Sequence, residues 1–439
     1  MEAVPTTTVP TTSADAALTR RPASRTALRL WRRLLSAGRG EVAELRGWDR
    51  LITWHKQATP RERWLAVKRF LKLPARAARQ SLADVRTFGR EVAEQAGVPR
   101  SRQFVQLWWL RVRHGLDAQA YIDYQLYRPE RWRRAGEYIG DKEFFRVGRF
   151  IRDQRAEREG RVLFDKRLFD AWCRENDLPT VPSLLEIEDG EVTYSVLGDN
   201  TLPRCDLFSK PSDGTNGRHT HRWLYDGAGG YVGADGRTRQ AAELLDELAT
   251  MSRTLPRSRR ILLQYCLRNH HALIPLTSGA LSTVRIQTYR WPGGDAALLF
   301  AAYRMPVGTA PADNFHYGGI IAPVDPSTGT LGQALRRRGK VLFPIERHPD
   351  TGALIEGHRI PCWDEAVRLA LRAHDTIGRM AAVGWDIAVL EDGPVLVEGN
   401  SSPNPDIGQA TTGVPLGRTP FVGCLNAYLR ECFGDSPPP

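Results

Sequence analysis

Between residues 27 and 160 apolar side chains recur three and four positions apart, the spacing of helices that bury one face. In TPRERWLAVKRFLKL, Thr59 fits an N-cap, Pro60 the first helical position and Glu62 the return partner of a capping box. Trp64, Val67, Phe70 and Leu71 then fall on one side and are expected to face a core. RQFVQLWWLRVRHGL and DAQAYIDYQLY repeat this character, with Arg interleaved among aromatics. Beyond Arg161 the texture changes to short β-branched runs divided by Gly, Pro, Asp and Asn. Strands are predicted near 190–197, 207–211, 260–266, 283–290, 297–304, 385–390 and 395–398. Helices fit 166–176, 238–251 and 364 to about 383, the last ended by Gly384. Strand runs mixed with helices predict an α+β body behind a mainly helical front.

At 439 residues the chain is long enough for two or three cores. No apolar run approaches the roughly 18 residues of a membrane helix. Residues 1–26 lack an apolar signal-peptide segment, and their Thr, Pro and Ala content predicts a disordered tail, as does GDSPPP at 434–439. The six cysteines show no CxxC spacing, so they are expected to be reduced, buried and structural in a cytoplasmic protein, with little support for zinc. The net charge of +12 is one-sided: residues 1–150 hold 30 Lys+Arg against 15 Asp+Glu, and residues 151–439 hold 32 against 35.

Against this background GWDIAVLEDGPVLVEGN, 384–400, stands out because Asp386, Glu398 and Asn400 sit in apolar strand-like runs. Carboxylates are seldom buried without a partner. A three-residue loop of Glu391, Asp392 and Gly393 would pair Leu390 with Pro394 and bring Asp386 opposite Glu398, with Asn400 two residues on along the same face. A divalent cation between the acids would turn their repulsion into binding, and Mg²⁺ takes such oxygen ligands while keeping substrate phosphates and waters. A two-residue turn would separate the acids; solvated hairpin ends are the plainer alternative.

LFSKPSDGTNGRHTHRW delivers Lys210 from a strand into a loop of Asp213, Gly214, Thr215, Asn216 and Gly217. Small residues let backbone N–H groups close over phosphate oxygens, with the Lys as a fixed cation, although a turn beside a surface Lys has the same composition. Upstream, Lys166 opens a helix in LFDKRLFDAW.

Together these stretches resemble the ATP-grasp superfamily over roughly 161–433, closest to its sugar-transfer-associated branch, related to α-L-glutamate ligases. VGWDIAVLEDGPVLVEGNSSPNPDIG carries the resemblance most specifically: an Asp on one strand, Glu-x-Asn ending the next, then a Ser/Pro turn. The resemblance implies an ATP-grasp fold of two α+β lobes clamping ATP, at 161–270 and 271–433, behind the basic helical domain at 27–160. It implies that Asp386, Glu398 and Asn400 hold Mg²⁺ on ATP, that Lys166 and Lys210 contact the phosphates, and that the 213–217 loop lies over them. In RRILLQYCLRNH, Gln264 and the backbone of Tyr265, Cys266 and Leu267 would meet the adenine, with Asn269 or His271 near the ribose. The family often has Glu where this chain has Tyr265. LSTVRIQTYR would supply Arg285 to the transferred phosphate, with Arg304 as a second such cation. ADNFHYGG would place Asn314 and His316 against phosphate or acceptor.

The function implied is an ATP- and Mg²⁺-dependent carboxylate–amine ligase working through an acyl phosphate on small-molecule carboxylate and amine substrates. A small-molecule kinase on the same scaffold is one alternative. The other is a protein whose Arg/Trp-rich front docks on nucleic acid or anionic membrane, against which stands a plain helical core with Arg facing water.

Overall fold

The computed structural model describes residues 40–55, 59–198, 201–213, 219–255, 259–308 and 318–433. Gly214, Thr215, Asn216, Gly217, Asn314 and His316, and both termini expected to be disordered, lie outside the described residues.

Two antiparallel sheets of seven strands organise the body. The first contains β1 (Ser183–Glu188), β2 (Glu191–Ser195), β3 (Leu207–Pro211), β4 (His221–Tyr225), β5 (Gly230–Val232), β6 (Thr238–Gln240) and β7 (Arg260–Tyr265), in the order β2-β1-β7-β3-β4-β5-β6. The second contains β8 (Thr283–Arg290), β9 (Ala296–Met305), β10 (Ile320–Pro323), β11 (Ala334–Arg338), β12 (Val341–Ile345), β13 (Ala382–Leu390) and β14 (Gly393–Asn400), in the order β12-β11-β10-β9-β8-β13-β14. The helix Ala241–Thr254 covers the first sheet through Leu244 and Leu248, which share a core with Leu184, Ile187 and Leu263. The helix Trp363–Ile377 covers the second through Ala366, Ala370 and Ala373, packed with Val284, Ile286 and Ile387. This is the α+β architecture expected, with a helical N-terminal region.

Two helix boundaries differ from the sequence reading. The helix Trp363–Ile377 is closed by Gly378 (φ +82°), and Gly384 lies inside β13. Gly384 is needed there for space: a Cβ would meet Pro403 at 3.0 Å and the Arg285 side chain at 3.4 Å. Residues 238–240 form β6 rather than a helical turn, and the helix begins at Ala241, where Glu243 accepts from the Gln240 N–H.

The N-terminal helices lie against the second sheet. Trp48 stacks on Phe433 of the C-terminal helix Phe421–Phe433 at 5.1 Å, and Phe144 packs on Phe421. Tyr124 donates to the buried Asp406 carboxylate at 2.8 Å. The expected capping box is present: Thr59 N–H donates to Glu62 at 2.9 Å and Glu62 N–H to Thr59 Oγ1 at 3.2 Å. Of the stripe expected to face a core, two members can be placed. Trp64 and Leu71 are exposed; the side chains of Val67 and Phe70 lie outside what is described. Helical spacing reveals an amphipathic face, but it does not reveal whether anything covers that face.

The cysteines are unpaired; Cys173 and Cys424 are buried, whereas Cys362 is exposed, contrary to the expectation that all are buried. No described helix is long and apolar enough to cross a membrane.

Candidate active site

The β13–β14 hairpin places the acids together by a route other than the one expected. Leu390 pairs with Gly393, so the turn is the two-residue Glu391-Asp392, and Gly393 has φ +114°. Such a turn alone would put Asp386 and Glu398 on opposite faces. The register then shifts: Ile387 pairs with Leu396 but Asp386 pairs with Glu398, leaving Val397 as a bulge. The extra residue restores the alignment, and Asn400 follows opposite Gly384. The expected pairing is present, while the expected three-residue loop is not.

Asp386 is buried and opposite Arg285 of β8, the central neighbour of β13. The Arg285 guanidinium grips the carboxylate through Nε and Nη2, the second contact at 3.0 Å. Arg304 of β9 adds a third contact to Asp386 Oδ2 at 2.9 Å, and its Nε donates to Thr283 Oγ1 at 3.1 Å. Burial would raise the Asp386 carboxyl, but the Arg285 and Arg304 charges and a hydrogen bond with Glu398 hold it well below the usual carboxylate range. Arg285 is buried on β8, which lies between β9 and β13 in the second sheet. Asn400 donates weakly to the Gly384 carbonyl at 3.3 Å, and Glu398 is half-buried.

Lys210 reaches the same place from β3 of the first sheet. It is buried, and that burial pushes its ammonium down to about 8; the like charge of Lys166 adds to the fall, while Glu398 and Asp386 oppose it. These mutual influences put both lysines and both acids in one electrostatic neighbourhood. Lys166 opens the helix Lys166–Glu175, whose N-cap Asp165 accepts from Arg167 and Leu168 N–H at 3.0 and 3.1 Å. Its own N–H donates to the Ser212 carbonyl at 3.0 Å, tying the helix start to the end of β3. The helix carries Trp172, stacked on Trp385 of β13 at 6.5 Å, and Phe169, also near Trp385.

Sequence reading missed the support beneath this junction. Glu186 of β1, buried, accepts from Ser212 Oγ at 2.6 Å and pairs with Arg167 at 3.2 Å and Arg260 at 3.5 Å. Glu186→Ala should lower stability by about 2–3 kcal/mol, below the ~3–5 of a fully buried pair because both Arg partners reach solvent; calorimetric melting checks this. Arg152, on the helix Asp141–Arg155, donates to Ser402 Oγ at 3.2 Å and Ser401 Oγ at 3.4 Å just past Asn400. Nothing local in the sequence marks either residue, since the partners are far apart along the chain.

Gly399 separates Glu398 from Asn400 for a packing reason. A Cβ there would meet Leu163 at 2.6 Å and the Trp385 ring at 3.0 Å. Gly399→Ala is expected to cost about 1–3 kcal/mol and to displace Glu398 and Asn400, so melting temperature and turnover should fall together.

Gln264 is buried and donates to the Val181 carbonyl at 2.9 Å; Tyr265 is exposed; the Cys266 N–H donates to the Asp206 carbonyl at 2.9 Å, and Leu267 follows it. Asn269 is occupied by the loop after it: its amide donates to the Ala280 carbonyl at 2.8 Å and its oxygen accepts from the Ser282 N–H and hydroxyl. His271 contacts Glu391 at 3.0 Å through Nδ1.

A ladder of two paired carboxylates and an amide, set among two guanidinium groups and two ammonium groups, has a surplus of positive charge. Such a cluster is complementary to a metal–triphosphate, which remains anionic after one divalent ion has bound. The chain belongs to the sugar-transfer associated ATP-grasp family, whose model matches residues 146–417. Among solved structures it is similar to D-cycloserine synthetase DcsG, at 12% identity over 61% of this chain and 71% of that one, with a TM-score of 0.32. It is also similar to D-alanine–D-alanine ligase from Bacillus anthracis, at 13% identity over 62% and 70%, TM-score 0.36. An L-amino acid ligase from Bacillus licheniformis is 13% identical over 60% and 48%, TM-score 0.31. No curated protein matches the chain.

Proposed function

We propose that the chain is an ATP- and Mg²⁺-dependent carboxylate–amine ligase that forms an amide bond through an acyl phosphate on a small amino-acid or secondary-metabolite substrate. The observation that carries this reading is the in-register pairing of Asp386 with Glu398, with Asn400 beyond it; the influence of both acids and of Lys166 on the Lys210 charge supports it. Asp386, Glu398 and Asn400 would hold Mg²⁺, which would supply positive charge to neutralise the phosphates. Lys210 and Lys166 bind the triphosphate as fixed cations. Arg285 and Arg304, which pair with Asp386 in the protein alone, would share their charge with the transferred phosphate as negative charge develops on it.

The proposed reaction begins when a substrate carboxylate oxygen attacks the γ-phosphorus in line and ADP leaves with the bridging oxygen. The amine nitrogen then attacks the acyl carbon, phosphate departs with its electron pair, and the nitrogen loses a proton. Positioning and charge neutralisation supply most of the rate. Water must be kept from the acyl phosphate, and no Ser or Cys nucleophile is required.

The test is ATP consumption with Mg²⁺ against pools of amino acids, other carboxylates and amines, with product masses recorded. The ligase reading expects phosphate release that requires both a carboxylate and an amine, and a product weighing their sum less one water. A stable phosphorylated product formed from a single substrate would make the protein a kinase and overturn it.

A further inference from the structure

The helix Pro60–Leu71 presents most of its described side chains to solvent. Among its described side chains all but Ala66 are exposed, including Trp64 at 60% and Leu71 at 73%. An isolated helix of this length is marginal in water, because most helices draw their stability from packing an apolar face. The capping box helps by only about 1 kcal/mol. Trp64, Lys68 and Leu71 lie one turn apart on one stripe, and the Lys68 ammonium sits 4.7 Å above the Trp64 ring. Leu65 and Lys72 extend the stripe sideways.

The charge around this face is of one sign. Residues 60–83 hold seven Lys+Arg and one acid, Glu62, whose carboxylate is engaged by Thr59. The next acid along the chain, Asp84, is taken by Arg111. The basic surface continues onto the helix Leu73–Ala96, where Arg76 and Arg79 are exposed. The apolar surface continues too: Trp108 donates to the Pro74 carbonyl at 3.1 Å, and Val105, one turn before it, is 59% exposed.

We propose that this face docks the protein on an anionic lipid surface. The pattern of Trp and Leu beside Lys and Arg on one short helix is that of an interfacial helix: the apolar side chains enter the headgroup–acyl boundary and the cations meet lipid phosphates. Aliphatic Leu65, Leu71 and Val105 have no stacking or phosphate-binding use on a nucleic acid, whereas each gains from leaving water at a bilayer. Residues 16–39 hold seven Arg and no acid, a charge of the same sign as this face. Their Leu, Trp and Arg content suits the same lipid surface. The inference is independent of the ligase chemistry, since none of these residues belongs to the nucleotide site.

The experiment is sedimentation of the full chain with vesicles of phosphatidylcholine alone and with about one third phosphatidylglycerol. Binding is expected only to the anionic vesicles and should weaken as salt rises. The exposed pair Trp64→Ser with Leu71→Ser should weaken binding about tenfold or more. Lys68→Glu with Lys72→Glu should weaken it at least about fivefold per charge, with melting and ATP consumption unchanged for both pairs. Equal binding to neutral vesicles, absence of binding, or indifference to both pairs would overturn the proposal. Displacement by single-stranded RNA with the same sensitivity to the variants would assign the face to nucleic acid instead. Concentration-dependent self-association lost in Trp64→Ser with Leu71→Ser would make it an interface between copies of the chain.

Discussion

Asp386→Ala should abolish ATP turnover and destabilise the protein, whereas Glu398→Ala should abolish turnover with little change in melting. Both residues are expected to hold the metal, but only Asp386 is buried between two guanidinium groups. Removing its carboxylate leaves the buried Arg285 without the charge that grips its guanidinium, and breaking such a pair costs about 3–5 kcal/mol. Glu398 is half-buried, so its loss removes a metal ligand without stranding a comparable charge. Calorimetric melting of the two variants, alongside their turnover, separates a structural from a ligand role. Equal destabilisation by both, or retained turnover in Glu398→Ala, would contradict this division of labour.

The second large effect is on pH. Lys210 in the free protein has its ammonium pushed down to about 8 from the ordinary 10.5, chiefly by burial. Nucleotide phosphates need the charged form, so ATP affinity should fall as pH rises through about 8. Stability moves the other way. In that window the unfolded chain still binds the proton that the folded chain has lost, so this group's contribution to stability rises from about pH 8 towards the unfolded value and then levels off. Bound phosphates raise the ammonium again, so binding one unit above pH 8 should take up a proton. Titration calorimetry in two buffers of different ionisation enthalpy reads that uptake. Lys210→Met should remove both the uptake and the pH dependence and weaken nucleotide binding at neutral pH by about tenfold or more.

The acidic pairing was legible in sequence because alternation and apolar flanks placed Asp386, Glu398 and Asn400 on one face. The bulge at Val397 was not, since an unpaired residue leaves no trace in a run of Val and Leu; the residue count reached the right pairing through the wrong turn. Lys210 was readable as a strand-borne cation, and Lys166 as the first residue of a helix. The grip of Arg285 and Arg304 on Asp386 depends on which strands neighbour β13, which local pattern does not reveal. Strands β4 (HRWLY) and β11 (ALRRR) carry polar residues that hide their alternation, and with them β1, β5, β6, β10 and β12 went unpredicted. Glu186 and Arg152 act through partners brought near by the fold, and Trp64 shows the converse, a core-like pattern left open to solvent.

The most direct test of the nucleotide site is calorimetric titration of the native protein and Glu398→Ala with a non-hydrolysable ATP analogue, with and without Mg²⁺. Tighter binding in the presence of the metal for the native chain, and loss of that gain in Glu398→Ala with melting preserved, is the predicted result. Binding that ignores both the metal and the substitution would contradict the assignment of the β13–β14 hairpin as a magnesium–nucleotide site.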